Sequence, residues 1–262
     1  MAQHVFDVVA CGDSHVGLVR QINEDRFLVS IESGLFAVAD GMGGHDAGEV
    51  ASTEIIDRLQ SIGRPSSALD LRARFEDRVH LANAEILGIA ASRGRGVMGA
   101  TLAALLIFEA RFACVWSGDS RVYHWRDNRL TQLTHDHTEV QALVDTGVLS
   151  VEDARSWPRR NVIRHAIGVD EYPFLEIVQG LIEAGDRFLI CSDGLTAHVE
   201  DAEIGDVLRN TAPDEACRRL IDLTLERGAT DNVSVVVVAI RPATPLGEEV
   251  ALFADRGPEE RL

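Results

Sequence analysis

Asp40, Asp119 and Asp193 share one setting: each closes an apolar run, "LFAVAD", "RFACVWSGD" and "DRFLICSD". Asp231 reverses the order and stands just ahead of "NVSVVVVAI". A carboxylate at a strand end is held by the core yet reaches water, so several such rims can converge on one point. Convergent carboxylates repel unless neutralised, and oxygen donors with no convergent His or Cys spacing point to a hard cation, Mg²⁺ or Mn²⁺, that keeps water in its remaining positions. The glycines of "DGMGG" let the backbone turn close after Asp40, so the Gly41 carbonyl can join the same ligand set. The competing reading is local: Asp followed by Gly is an ordinary turn signal, and each acid alone fits a turn or a helix cap.

A second cluster, "GLVRQINEDRF", sets Arg20, Glu24 and Asp25 just before a strand. Arg20 and Glu24 stand four apart and fit a surface ion pair on a helical turn. Equally, the planar fork of Arg20 suits two phosphate oxygens beside acids that face metal. The pattern leaves both open.

The elements that must carry these residues follow from periodicity. Residues 4–14, 25–33 and 35–40 are short runs rich in Val, Ile and Phe, with Ser33-Gly34 as a tight turn between the last two. After a glycine turn, apolar residues at helical spacing predict a helix over 47–63, and a longer one from Ser66 to about Ser92. Apolar runs at 99–110 and 111–119 predict strands, followed by a hairpin with Asp127-Asn128 at its tip. Residues 135–165 break the rhythm and predict small helices in a long excursion. Strands return at 175–182 and 186–193, then two helices at 201–210 and 213–228, with Pro213 and Gly228 in the expected end positions, and a last strand at 232–240. Strands in antiparallel-looking runs with helices in pairs between them predict an α+β class, two packed and mostly antiparallel sheets sandwiched between helix layers. One domain is expected over 1–241, with a flexible tail, rich in Pro, Gly and Glu, over 242–262.

Composition bounds the rest. With 42 acids against 25 bases the net charge is −17, which argues against nucleic acid or an anionic membrane as partner and makes cations the natural counter-charge. No apolar stretch of membrane-spanning length and no secretory leader pattern is present, so a cytoplasmic protein is expected. Cys11, Cys114, Cys191 and Cys217 lie far apart without a CxxC pair and read as reduced thiols.

Taken together, "VRQINEDRF", "VADGMGGHDAGEVAS", "GATLAALLI", "WSGDSRVYHW", "LTHDHTEV", "RNVIRHAIGV", "GDRFLICSDGLT" and "ATDNVSVVVV" resemble the bacterial metal-dependent protein Ser/Thr phosphatases of the PPM (PP2C) type, in the family's order, from about residue 7 to residue 240. The resemblance implies two packed sheets between helix layers, and hydrolysis of phosphoserine and phosphothreonine in proteins by a metal-activated water, opposing a bacterial Ser/Thr kinase. It implies that Asp40 bridges two Mn²⁺ or Mg²⁺ ions, that Gly41 and Glu24 serve one of them, and that Asp193 and Asp231 serve the other. Asp119, with Asp193, matches a third ion's site; Arg20 matches the phosphate-binding arginine, and Asp25 a supporting acid. The excursion matches the family's flap, with His135, His137 and His165 in it or behind the site. A monomer is expected. The sequence departs from many eukaryotic relatives in carrying Met42 where they have a histidine proposed as proton donor; His45, three residues on, is the alternative candidate. A catalytically silent relative that binds phosphoproteins is the competing class, and it predicts lost metal acids.

Overall fold

A computed structural model describes residues 6–44, 46–94 and 96–243. The tail predicted beyond residue 242 therefore lies almost wholly outside the described residues, as does His45. Sheet I joins five strands: β1 (Phe6–His15), β7 (Arg121–Arg126), β8 (Arg129–Gln132), β10 (Arg187–Cys191) and β11 (Val233–Pro242), in the order β1-β11-β10-β7-β8. Sheet II runs β2 (Asp25–Ser30), β3 (Leu35–Gly43), β5 (Leu102–Phe108), β6 (Arg111–Ser117) and β9 (Glu176–Leu181), and β4 (Met98–Ala100) pairs with the end of β3. Every ladder between these strands is antiparallel.

Side-chain alternation builds the layers. In β3, Ala37 and Ala39 face helices α1 (Ala47–Gln60) and α2 (Ala68–Arg93), while Phe36 and Val38 face the other sheet. In β11, Val236, Val238 and Ile240 point into the space between sheets, and Val233, Val235 and Val237 pack toward α5 (Asp193–Thr196), α6 (Asp201–Asn210) and α7 (Pro213–Glu226). Strands buried on both faces must be apolar at every position, which is why they read as continuous runs in the sequence. The helices end where local chemistry stops them. Ser67 caps α2 by accepting from the Asp70 amide, and Gly94 closes it in the left-handed region.

Two expectations are corrected. The glycines after Asp40 do not form a turn: β3 continues through Gly43, and Gly41, Met42 and Gly43 pair with Ala100, Gly99 and Met98. The reason is steric. A side chain on Gly41 would collide with the Gly48 carbonyl and lie 2.6 Å from the Glu24 carbonyl, so only bare backbone can run there. Asp193 likewise is the first residue of α5 rather than the last of β10. The excursion at 135–165 holds two short helices, α3 (Glu139–Asp145) and α4 (Val151–Arg155), as its broken pattern predicts. Asp127 and Asn128 both take positive φ at the β7–β8 tip, and all four cysteines are free.

At the far end of sheet I, Asp186 is 1% exposed. Arg126 grips it with Nε and Nη2, each at 2.6 Å; the Glu183 amide donates at 2.8 Å, and His124 Nε2 stands 3.1 Å away. Burial alone would raise its carboxyl, but the bonds from Arg126 and the Glu183 amide, with His124 close by, outweigh it and hold the group below the usual carboxylate range. Its contribution to stability is therefore complete above the unfolded value of about 3.9 and is lost as pH falls through the lower folded value. Asp186→Asn should cost about 2 kcal/mol at pH 7. In urea unfolding, the gap between wild type and variant should shrink as pH drops below about 4.

Candidate metal centre

Acids from both sheets meet at one rim. Asp25, the first residue of β2, lies directly opposite Asp40 of β3 in the antiparallel register. Like charges in that position repel. Asp25 is 2% exposed, and its Oδ2 accepts from Ser192 Oγ at 2.7 Å, while Ser192 Oγ accepts from the Ser234 amide at 3.0 Å. One carboxylate of sheet II is thus tied, through Ser192 after β10, to the backbone of β11 in sheet I. Thr101, between β4 and β5, holds Asp40 at both backbone groups: its Oγ1 accepts from the Asp40 amide at 3.1 Å, and its own amide donates to the Asp40 carbonyl at 2.8 Å. Thr101 Oγ1 also bonds Ser120 Oγ at 2.7 Å, next to Asp119.

The charges feel one another. Burial pushes Asp40 well above the usual carboxylate range, and Asp25, Asp193, Asp119 and Asp231 push it further. Burial and Asp193 do the same to Asp119. Asp193 is raised by burial and then by Asp231, against a hydrogen bond shared with Asp40. Burial lifts Asp25 to about 7 against bonds from Ser192 and Ser234, with Asp193 and Asp231 adding to the rise. Burial also raises Glu24, against the pull of Arg20.

Three buried carboxylate oxygens, Glu24 Oε1, Asp25 Oδ1 and Asp119 Oδ1, have no hydrogen-bond partner. Buried oxygens without donors, on acids that repel, fit a hard divalent cation better than any neutral group. Among the described residues no three His, Cys, Asp or Glu side chains are set to grip a single ion. Asp231 Oδ2 is turned to Arg20 Nη2 at 2.7 Å, although Asp231 adjoins the cluster. Both side chains are two-fifths exposed or more, so that pair is worth at most about 1 kcal/mol and can yield to a cation. The structure therefore brings Asp25, Asp40, Asp119, Asp193 and Asp231 together, and sets Glu24 beside Arg20. It does not join Arg20 and Glu24 as a helical pair: both lie in the loop before β2.

A model of the protein phosphatase 2C family matches residues 11–234, a span that contains all of these residues from Arg20 to Asp231. The chain belongs to the protein phosphatase 2C family. The serine/threonine protein phosphatase PstP of Mycobacterium tuberculosis is 42% identical over 226 residues, covering 86% of this chain and 43% of that relative, so the chain spans less than half its length. PppA, a key regulatory component of T6SS in Pseudomonas aeruginosa, has a structure with TM-score 0.83 and 39% identity, over 89% of this chain and 97% of that one. The catalytic domain of PstP in complex with 2 manganese ions gives TM-score 0.82 and 38% identity, over 89% of this chain and 98% of that one.

This protein phosphatase 2C chain also uses residues that sequence reasoning missed. Asn232 accepts from the Glu24 amide at 2.8 Å and donates to the Val16 and Ile22 carbonyls at 2.8 and 3.0 Å, so it fastens the loop that carries Arg20. Its only signal was adjacency to Asp231. Ser192 and Thr101 gave none, since their roles arise from contacts with residues far away in the sequence. Gly48 is required because a side chain there would lie 2.6 Å from the Gly41 carbonyl carbon, and 2.5 Å from Glu24 Oε1.

A carboxyl raised in the folded chain keeps its proton to higher pH than in the unfolded chain, so the folded form binds more protons between about pH 4 and 7. With divalent ions chelated, thermal stability should fall as pH rises through that window. Added Mn²⁺ should raise the melting temperature more at pH 8 than at pH 5. A metal-free melting temperature that climbs from pH 5 to 8 would contradict the repulsive cluster.

Proposed function

We propose that this chain is a metal-dependent protein phosphatase that hydrolyses phosphoserine and phosphothreonine in proteins by direct attack of water. The observation that carries the reading is the meeting of Asp25 and Asp40 across one ladder, with Asp119, Asp193 and Asp231 crowded against them. Family membership and the manganese-bound PstP relative support it. In this proposal Asp40 would help hold two Mn²⁺ or Mg²⁺ ions, one together with the Gly41 carbonyl and Glu24 and the other with Asp193 and Asp231, and Asp119 with Asp193 would hold a third. When bound, such ions lower the pKa of water and set positive charge against phosphoryl oxygens.

The chain's own groups do the rest. Arg20 offers a two-pronged donor to the phosphate, and exchanging Asp231 for phosphate frees that acid for metal. Asp25, fixed by Ser192, supports Asp40 from the facing strand. Leu18, Val19 and Ile22 are exposed around Arg20, an apolar rim suited to peptide flanking the phosphorylated residue. Met42 has no proton to give, so it takes no part in protonating the leaving oxygen. A silent phosphoprotein-binding relative is disfavoured because all six metal positions named here carry oxygen donors.

The proposal extends to a cognate Ser/Thr kinase whose targets this protein resets, and to a cytoplasmic monomer with residues 135–165 as a flap on a domain spanning 1–241. Four free thiols accord with a reducing compartment, and no described helix is long and apolar enough to cross a membrane. The acidic charge gives nucleic acid no foothold.

Hydrolysis of p-nitrophenyl phosphate and of phosphopeptides with Mn²⁺ tests the proposal. Asp193→Asn, or EDTA, should lower kcat/KM by about a hundredfold or more. Arg20→Ala should raise KM by about tenfold with a smaller loss in kcat. Equal rates in all four conditions would defeat it.

A further inference from the structure

Where the chain leaves β8 to begin the excursion, it doubles back over the loop that carries Asp119. The Leu133 amide donates to the Val122 carbonyl at 2.8 Å, and Thr134 Oγ1 accepts from the Val122 amide at 3.2 Å. Arg121 grips Asp136 in bidentate fashion, Nε to Oδ1 at 3.0 Å and Nη2 to Oδ2 at 2.7 Å. His137 then meets Gly118 twice: its amide donates to the Gly118 carbonyl at 2.9 Å, and its ring Nδ1 accepts from the Gly118 amide at 3.1 Å.

A backbone amide only donates, so Nδ1 must be unprotonated and the ring proton of neutral His137 must sit on Nε2. The ring is 7% exposed, packed on Trp116 and Phe174 and edge-on to His165, with Nε2 3.5 Å from Glu176 Oε2. Burial pulls its pKa down and favours the neutral form, with His165 and His135 acting the same way and Glu176 opposing. On the other side, Gly118 sits at φ +110°, and a side chain there would lie 2.7 Å from Thr101 Cβ. The peptide before Asp119 is therefore held between His137 and Thr101, and Thr101 is the residue that holds Asp40.

We infer that His137 is a positioning residue: through its Nδ1 bond to the Gly118 amide it aims the carboxylate of Asp119, whose Oδ1 has no hydrogen-bond partner, into the acid cluster and ties the root of the excursion to that aim. The inference rests on the proposed role of Asp119 in binding metal. An imidazole that merely filled space between Trp116 and Phe174 would require no particular tautomer, whereas this role requires an acceptor at the Nδ1 position.

Asn places its Oδ1 near the position of Nδ1 and Gln places its Oε1 near that of Nε2, which gives a direct test. ¹⁵N-histidine NMR of the wild-type chain should show His137 as the Nε2–H tautomer with Nδ1 accepting. Calorimetric titration with Mn²⁺ should give His137→Asn an affinity within about twofold of wild type, and His137→Gln one weaker by about tenfold. Both variants should melt within a few degrees of each other. An Nδ1–H tautomer, or Asn and Gln variants of equal Mn²⁺ affinity, would overturn the inference, and the tautomer alone decides if the variants do not fold. A wild-type chain that binds Mn²⁺ but hydrolyses no phosphoester defeats the functional proposal while leaving this inference standing.

Discussion

Two carboxylates facing each other across a sheet ladder, with three more crowded around them, set the terms for this molecule. Two unit charges 4 Å apart repel by about 4 kcal/mol at an effective dielectric of 20, and the acids at this rim are more than a single pair. They cannot all stay ionised by themselves. Protons relieve the strain at low pH; at neutral pH the relief is divalent metal, whose binding is then also a contribution to folding. The charge of −17 fits the same logic: the chain as a whole is acidic, and divalent cations at this rim would offset that charge locally.

Such a cluster persists because the surroundings leave it little freedom. Strands buried on both faces give a rigid double sheet, and three of the acids hang from it by separate fastenings: Asp25 by Ser192, Asp40 by Thr101, and the Asp231 segment by Asn232. The Asp25–Ser192 and Asn232 bonds cross between the two sheets, so the rim is complete only when sheets I and II have packed. Gly41 and Gly48 serve the same end by letting β3, α1 and the Glu24 segment approach to backbone contact. Arg20 is the exception. Its loop is exposed and its partner Asp231 is half-exposed, so this pair, unlike the buried fastenings, is open to exchange with solvent ions.

Much of this was legible from the sequence, for physical reasons. Doubly buried strands have to be continuously apolar, which made β5, β6, β10 and β11 visible. Helices α6 and α7 announced themselves by period and by Pro213 at the start of α7. The acids were visible because a charge at the close of a buried run is unusual. The strand character of Gly41–Gly43 was not, since glycine signals a turn by propensity and its extended pairing with β4 comes from close backbone approach. Ser192, Thr101 and Asn232, and the part His137 plays at Gly118, were hidden for a related reason: each acts through hydrogen bonds to residues distant in sequence, and composition carries no trace of such partners. The Arg20–Asp231 pair, 211 residues apart, belongs with them.

The central claim is that these oxygens form one cation site. Anomalous diffraction at the manganese edge, from crystals of the full chain grown with Mn²⁺, addresses it directly. Peaks should fall among Asp40, Asp193 and Asp231, with Asp231 released from Arg20. Manganese found only on separate surface acids, with the Arg20–Asp231 pair intact, would contradict it.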